Sequence, residues 1–163
     1  MRWIAPYLVF GLTLFPIAVR AEGPPPAIKP PALRTGDTVA IVAPAGSLER
    51  VRVERARVRL QKMGLRVRIP PNLYRKRGYL AGDDAARAEE FMAAWRDPEV
   101  KAVLPGGGGY GATRMLDLLD YDAIRANPKL LLGYSDITAL HLAIQRKTGL
   151  ITFHGPWVCC RLR

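Results

Sequence analysis

Short apolar runs alternate with amphipathic stretches along most of this chain. That alternation limits the folds open to it more than any other feature. Thr38-Val-Ala-Ile-Val-Ala43 is short, β-branched and apolar throughout, as a strand buried on both faces must be. Arg34-Thr-Gly-Asp37 reads as the turn before it, and Pro44-Ala-Gly-Ser47 breaks it. Ser47 is expected to cap a helix running to about Lys62, with Gly64 as its stop. Leu65–Ile69 alternates and closes at Pro70-Pro71, which predicts an edge strand. A loop follows over 72–82, containing Gly78-Tyr-Leu-Ala-Gly82. Asp83 or Asp84 caps a helix to about Trp95, and Asp97-Pro98 ends it. Val100–Leu104 is a third strand, followed by Pro105–Gly111 and a helical stretch around Thr113–Leu119. Tyr121–Pro128 reads as a short helix and turn, and Leu130–Leu132 as strand four. A helix over Ile137–Lys147 stops at Gly149, and Leu150–Phe153 makes a fifth strand before His154-Gly-Pro156.

Strands and helices in strict alternation predict an α/β fold. We expect an open, mostly parallel sheet, flavodoxin-like or Rossmann-like, with helices on both faces. Such sheets carry their functional loops at the carboxyl ends of the strands. Here those ends are Ala43–Ser47, Pro105–Gly111, Gly133–Asp136 and His154–Pro156, all rich in small or polar residues. There is no internal repeat.

The 163 residues are enough for one domain with a core, and 49% hydrophobic against 24% charged content reads as globular. Residues 1–21 differ in kind, with a basic start, an apolar body and Val19-Arg-Ala21 fit for a signal-peptidase cut. Export to the periplasm is the expectation. The alternative is an uncleaved anchor touching the membrane through residues 3–19. Residues 22–35 are proline-rich and read as an extended linker to a domain spanning 36–156. The net charge of +11 raises nucleic acid as a partner. Arg52, Arg55, Arg57 and Arg59 fall on several faces of one helix among Glu49 and Glu54, and RNP, zinc-finger and homeodomain signatures are absent. A solvated basic surface accounts for them, and no nucleic-acid partner is expected. Cys159 and Cys160 are adjacent and poorly placed to bridge each other. No metal-ligand spacing occurs, so neither a metal nor a cofactor is expected.

Two strand ends could carry chemistry. The glycines of Pro105-Gly-Gly-Gly-Gly-Tyr-Gly111 bring bare N–H groups to a strand end, where they could hold a phosphate or an oxyanion. A structural tight turn explains them equally well. A dinucleotide fingerprint does not, because the run follows the third strand and lacks its acid. Ser135 stands between a buried strand and a helix start, as a nucleophile elbow would place it, with the Asp136 N–H nearby to hold an oxyanion. An ordinary helix cap by Ser135 or Asp136 is the competing reading. A serine nucleophile needs a base. His141 lies six residues on, facing elsewhere on the helix, and His154 ends the next strand as a candidate pocket residue with no evident acid to orient it.

Gly78-Tyr-Leu-Ala-Gly82, Gly108-Gly-Tyr-Gly111, Leu119-Asp-Tyr-Asp122, Asn127-Pro-Lys129, Gly133-Tyr-Ser-Asp-Ile-Thr-Ala-Leu140 and Phe153-His-Gly-Pro156 together resemble the LD-carboxypeptidase family. That family includes murein tetrapeptide carboxypeptidases and microcin C self-immunity peptidases. The motifs keep the family's order over roughly residues 33–156. The resemblance implies a serine peptidase that takes a muropeptide as its partner and removes its terminal D-alanine by cutting an L-to-D bond. It implies Ser135 as nucleophile, the N–H groups of Asp136 and of Gly108 or Gly109 as oxyanion donors, and Tyr110 at the substrate. It implies a homodimer as an open alternative for assembly. The family's base and acid, a His and a Glu, come from a carboxyl-terminal half that these residues do not include. His154 matches a family motif but not that His. The family often has Arg where Gly107 stands, and the pattern ends after Pro156, leaving 157–163 as an unrelated tail. The expectation is a chain inactive alone. The alternatives are a muropeptide-binding module or a nonfunctional fragment.

Overall fold

The structure, a computed structural model, describes residues 25–156 together with Gly23 and Cys159. The expected signal segment 1–21 and the tail, apart from Cys159, lie outside the described residues. Among the described residues, five parallel strands form one sheet: β1 (Thr38–Val42), β2 (Arg66–Arg68), β3 (Val100–Pro105), β4 (Leu130–Gly133) and β5 (Phe153–His154). Their order is β2-β1-β3-β4-β5, as the α/β reading expects. The chain goes from β1 to one side for β2 and to the other for β3, so the β1/β3 junction is the topological switch point.

Alternation along β1 feeds two cores. Val39 and Ile41 face helix α1 (Arg50–Lys62), which presents Val53, Ala56 and Leu60 at helical spacing. Ala40 and Val42 face the other layer, where α2 (Asp84–Arg96) buries Ala88, Phe91, Met92 and Trp95. With them pack α3 (Tyr121–Ala126) and α4 (Thr138–Thr148). Trp95 is fully buried and donates its indole N–H to the Asn127 carbonyl at 2.9 Å. Asp83 caps α2, accepting from the Ala86 N–H at 2.7 Å.

Local details differ from expectation. Ser47 does not cap α1: the N-cap is Glu49, without a side-chain bond, and Ser47 donates its backbone N–H to Tyr79 O at 3.0 Å. The helical stretch expected after the glycine run is present, as a 3-10 helix over Ala112–Leu118. Strand five is two residues long, because Leu150 pairs instead with Ile28. The Ile28 N–H reaches Gly149 O and the Ile151 N–H reaches Ile28 O, each at 2.8 Å, so part of the proline-rich segment is docked on the domain. Gly149 ends α4 at φ 76°, and a Cβ there would meet Pro26 O at 2.2 Å.

At the amino edge of the sheet, Lys129 is buried and donates to Val100 O at 2.8 Å and to Asp97 O. Burial, with Lys101 nearby, pushes its pKa down to about 8. This tie fixes β4 to the turn before β3.

Candidate active site

The carboxyl edge gathers the loops after β1, β3, β4 and β5. The first two touch at the switch point, where the Gly46 N–H donates to Gly108 O at 3.0 Å. A Cβ on Gly46 would stand 2.9 Å from that oxygen, so only glycine permits the approach. In a planar trans peptide the carbonyl and the following N–H point oppositely. Gly108 O turned toward Gly46 therefore leaves the Gly109 N–H aimed away from it. The N–H groups of Gly108, Gly109 and Tyr110 have no partner among the described residues. A cleft of about 250 Å³ opens beside this loop, lined in part by Ser47, Leu48, Arg52 and Gly106–Gly109. The exposed rings of Tyr110, next in the chain after Gly109, and Tyr79 lie 6.2 Å apart.

Ser135 follows β4 and begins a single 3-10 turn, Ser135–Ile137, leading into α4. It is exposed, and its φ is 61°. No other non-glycine described residue has positive φ. A left-handed serine costs about 1–2 kcal/mol, so surrounding contacts must hold it. Ile137 packs against Gly133, where a Cβ would come within 2.7 Å of its Cγ2. Asp136 does not point at the cleft as a free acid. Its Oδ2 accepts the Ala112 N–H at 2.8 Å, joining the end of the glycine loop to the serine turn. The Asp136 N–H has no partner among the described residues.

Two residues on α2 that sequence reasoning passed over brace these loops from below. Arg87 is fully buried and donates to Gly111 O at 2.8 Å, to Pro44 O and to Asp84. Glu90 accepts the Ala43 N–H at 3.0 Å and pairs with Arg75 at 2.9 Å. Burial raises its carboxyl pKa, and that N–H and Arg75 oppose the rise. The signal was available: Arg87 and Glu90 sit on the same helical side as Ala88 and Phe91.

The histidines lie close together, with rings 6.1 Å apart. His154 is exposed in β5, edge-on to Tyr134 at 6.3 Å. His141 does not face elsewhere as expected. It is buried, and its Nε2 lies 2.9 Å from Gly133 O. No acid hydrogen-bonds either imidazole among the described residues. An exposed hydroxyl on a strained turn, next to an Asp136 N–H with no partner among the described residues, can attack a carbonyl and hold the resulting oxyanion. Among the described residues this edge holds no histidine oriented by an acid. Among the described residues, no group of three or more His, Cys, Asp or Glu could hold a metal ion.

Residues 39–155 match the LD-carboxypeptidase N-terminal domain. The chain is 46% identical over 128 residues to a probable murein peptide carboxypeptidase of Bacillus subtilis, covering 78% of this chain and 40% of that protein. It is 34% identical to a murein tetrapeptide carboxypeptidase of Pseudomonas aeruginosa, covering 72% of this chain and 38% of that one. Among solved structures, an MccF-like protein from Bacillus anthracis superposes with a TM-score of 0.78 at 38% identity, over 82% of this chain and 41% of its own. The chain thus spans about 40% of the length of these relatives.

Proposed function

Because the chain belongs to the LD-carboxypeptidase family, we propose that it carries the nucleophile half of a serine carboxypeptidase acting on murein peptides. The observation that carries this is Ser135, exposed and left-handed at the end of a buried strand. Strain of that kind is kept where the surrounding structure holds it for a purpose. Ser135 Oγ attacks the carbonyl carbon before the terminal D-alanine, and its proton passes to a base. The N–H groups of Asp136 and Gly109 receive the oxyanion. The tetrahedral carbon collapses, the C–N bond breaks, and the base returns its proton to the D-alanine amine. Water then attacks the acyl ester and restores the serine. Tyr110 borders the substrate, and His154 forms part of the pocket wall.

The base is a His oriented by a Glu from the family's carboxyl-terminal half. Without it, these residues alone turn over substrate about a millionfold more slowly than a complete enzyme. The absence of an oriented base beside Ser135 among the described residues also favours a second reading, a muropeptide-binding module. We place either activity outside the cytoplasm, on the strength of residues 1–21. A fluorophosphonate probe separates the readings. Labelling that disappears in Ser135→Ala supports an activated serine, whereas tight muropeptide binding without labelling supports the module. D-alanine release by the chain alone, followed by mass spectrometry, would refute the inactivity.

A further inference from the structure

Gly133 ends β4 with one carbonyl that serves two donors. The Gly155 N–H reaches it at 3.0 Å from just past β5, and His141 Nε2 at 2.9 Å from α4. A carbonyl oxygen only accepts, so Nε2 carries a proton; in the neutral ring Nδ1 then holds the lone pair. His141 is 7% exposed, and its buried Nδ1 has no hydrogen-bond partner among the described residues. A buried imidazole must place its N–H on an acceptor, and the acceptor His141 meets is this oxygen. The carbonyl it grips belongs to the peptide that leads into Tyr134, and the next residue is Ser135 at φ 61°.

We propose that His141 is the positioning residue of the Ser135 turn: its Nε2–H, with the Gly155 N–H, fixes the Gly133–Tyr134 peptide plane from which the left-handed serine departs. Two donors from different elements leave that plane one orientation, and the strain at Ser135 cannot relax by rotating it. The clamp needs a neutral ring with the proton on Nε2. Burial, and then His154, lower the proton affinity of His141, while the Gly133 carbonyl raises it. Among the described residues the titratable group facing it is His154 from β5, whose ring lies in turn against Tyr134. A second proton would sit on Nδ1, where no acceptor waits among the described residues.

The functional meaning of this clamp rests on Ser135 being the nucleophile; the clamp itself does not. The test uses the full isotopically labelled chain at neutral pH. Long-range proton–nitrogen correlation should show His141 as the Nε2–H tautomer with a slowly exchanging proton. His141→Phe should lose the positive-φ signature of Ser135, read from its amide coupling and carbon shifts, with its helix signal intact. His141→Gln, which restores a side-chain N–H, should recover it. An Nδ1–H or doubly protonated His141 overturns the proposal, and so does a folded His141→Phe that keeps Ser135 at positive φ. Should His141→Phe fail to fold, the tautomer in the unaltered chain still decides. If Ser135→Ala spares D-alanine release in a completed enzyme, the nucleophile reading fails while these backbone results stand.

Discussion

Two turns leave the carboxyl edge side by side, one after β3 and one after β4, built from opposite materials. The first uses glycine, with φ 108° at Gly109 and 132° at Gly111, where positive values carry little steric cost. The second holds a serine at φ 61° against its preference. The glycine loop exposes backbone and offers N–H groups. The serine turn exposes a side chain and offers a hydroxyl. The strain falls on the residue that the proposed function makes the nucleophile, and glycine stands where that proposal asks only for backbone. Asp136 then bonds the two turns together through Ala112.

Exchanging the materials should break this contrast unequally. Ser135→Ala in an enzyme completed with the family's carboxyl-terminal half should lower D-alanine release by about a millionfold. Asp136→Ala should cost about 1–3 kcal/mol in denaturant unfolding, by leaving the Ala112 N–H without its acceptor. It should also slow release about a hundredfold through misplacement of the two turns. Gly111→Ala should destabilise by more than about 1 kcal/mol, because a Cβ would meet Leu80 Cδ2 at 2.6 Å and the conformation is left-handed. Ser135→Gly should do the reverse, raising stability by about 1 kcal/mol as the strain is relieved, while release is lost.

The smallest effect concerns pH. His141 has its proton affinity lowered in the fold, so the unfolded chain binds that proton more readily. Its contribution to stability is present above the ordinary histidine pKa near 6.5 and is lost as pH falls below that value. Unfolding midpoints measured between neutral and mildly acid pH should fall less steeply in His141→Gln than in the unaltered chain.

Most of the sheet was legible because buried parallel strands are apolar on both faces, and β1, β3 and β4 show it. Asp83 and Gly149 marked helix ends by chemistry that is local. What escaped depends on contacts distant in sequence. Ser47 has the right hydroxyl for a cap, but Tyr79 O takes its N–H and the helix begins later. Leu150 has the character of strand five, yet Ile28 claims it. In the site, Ser135 and the glycines announced themselves by residue type. Arg87, Glu90 and His141 did not, because charged or titratable side chains are usually exposed and only the fold shows which carbonyl or N–H each one meets.

The central claim is that Ser135 is the nucleophile. Its most direct test supplies the chain with a family carboxyl-terminal half and measures D-alanine release from murein tetrapeptide by mass spectrometry, with and without Ser135→Ala. Release from the unaltered pair and none above background from the variant is the predicted result. Release that survives Ser135→Ala would contradict it.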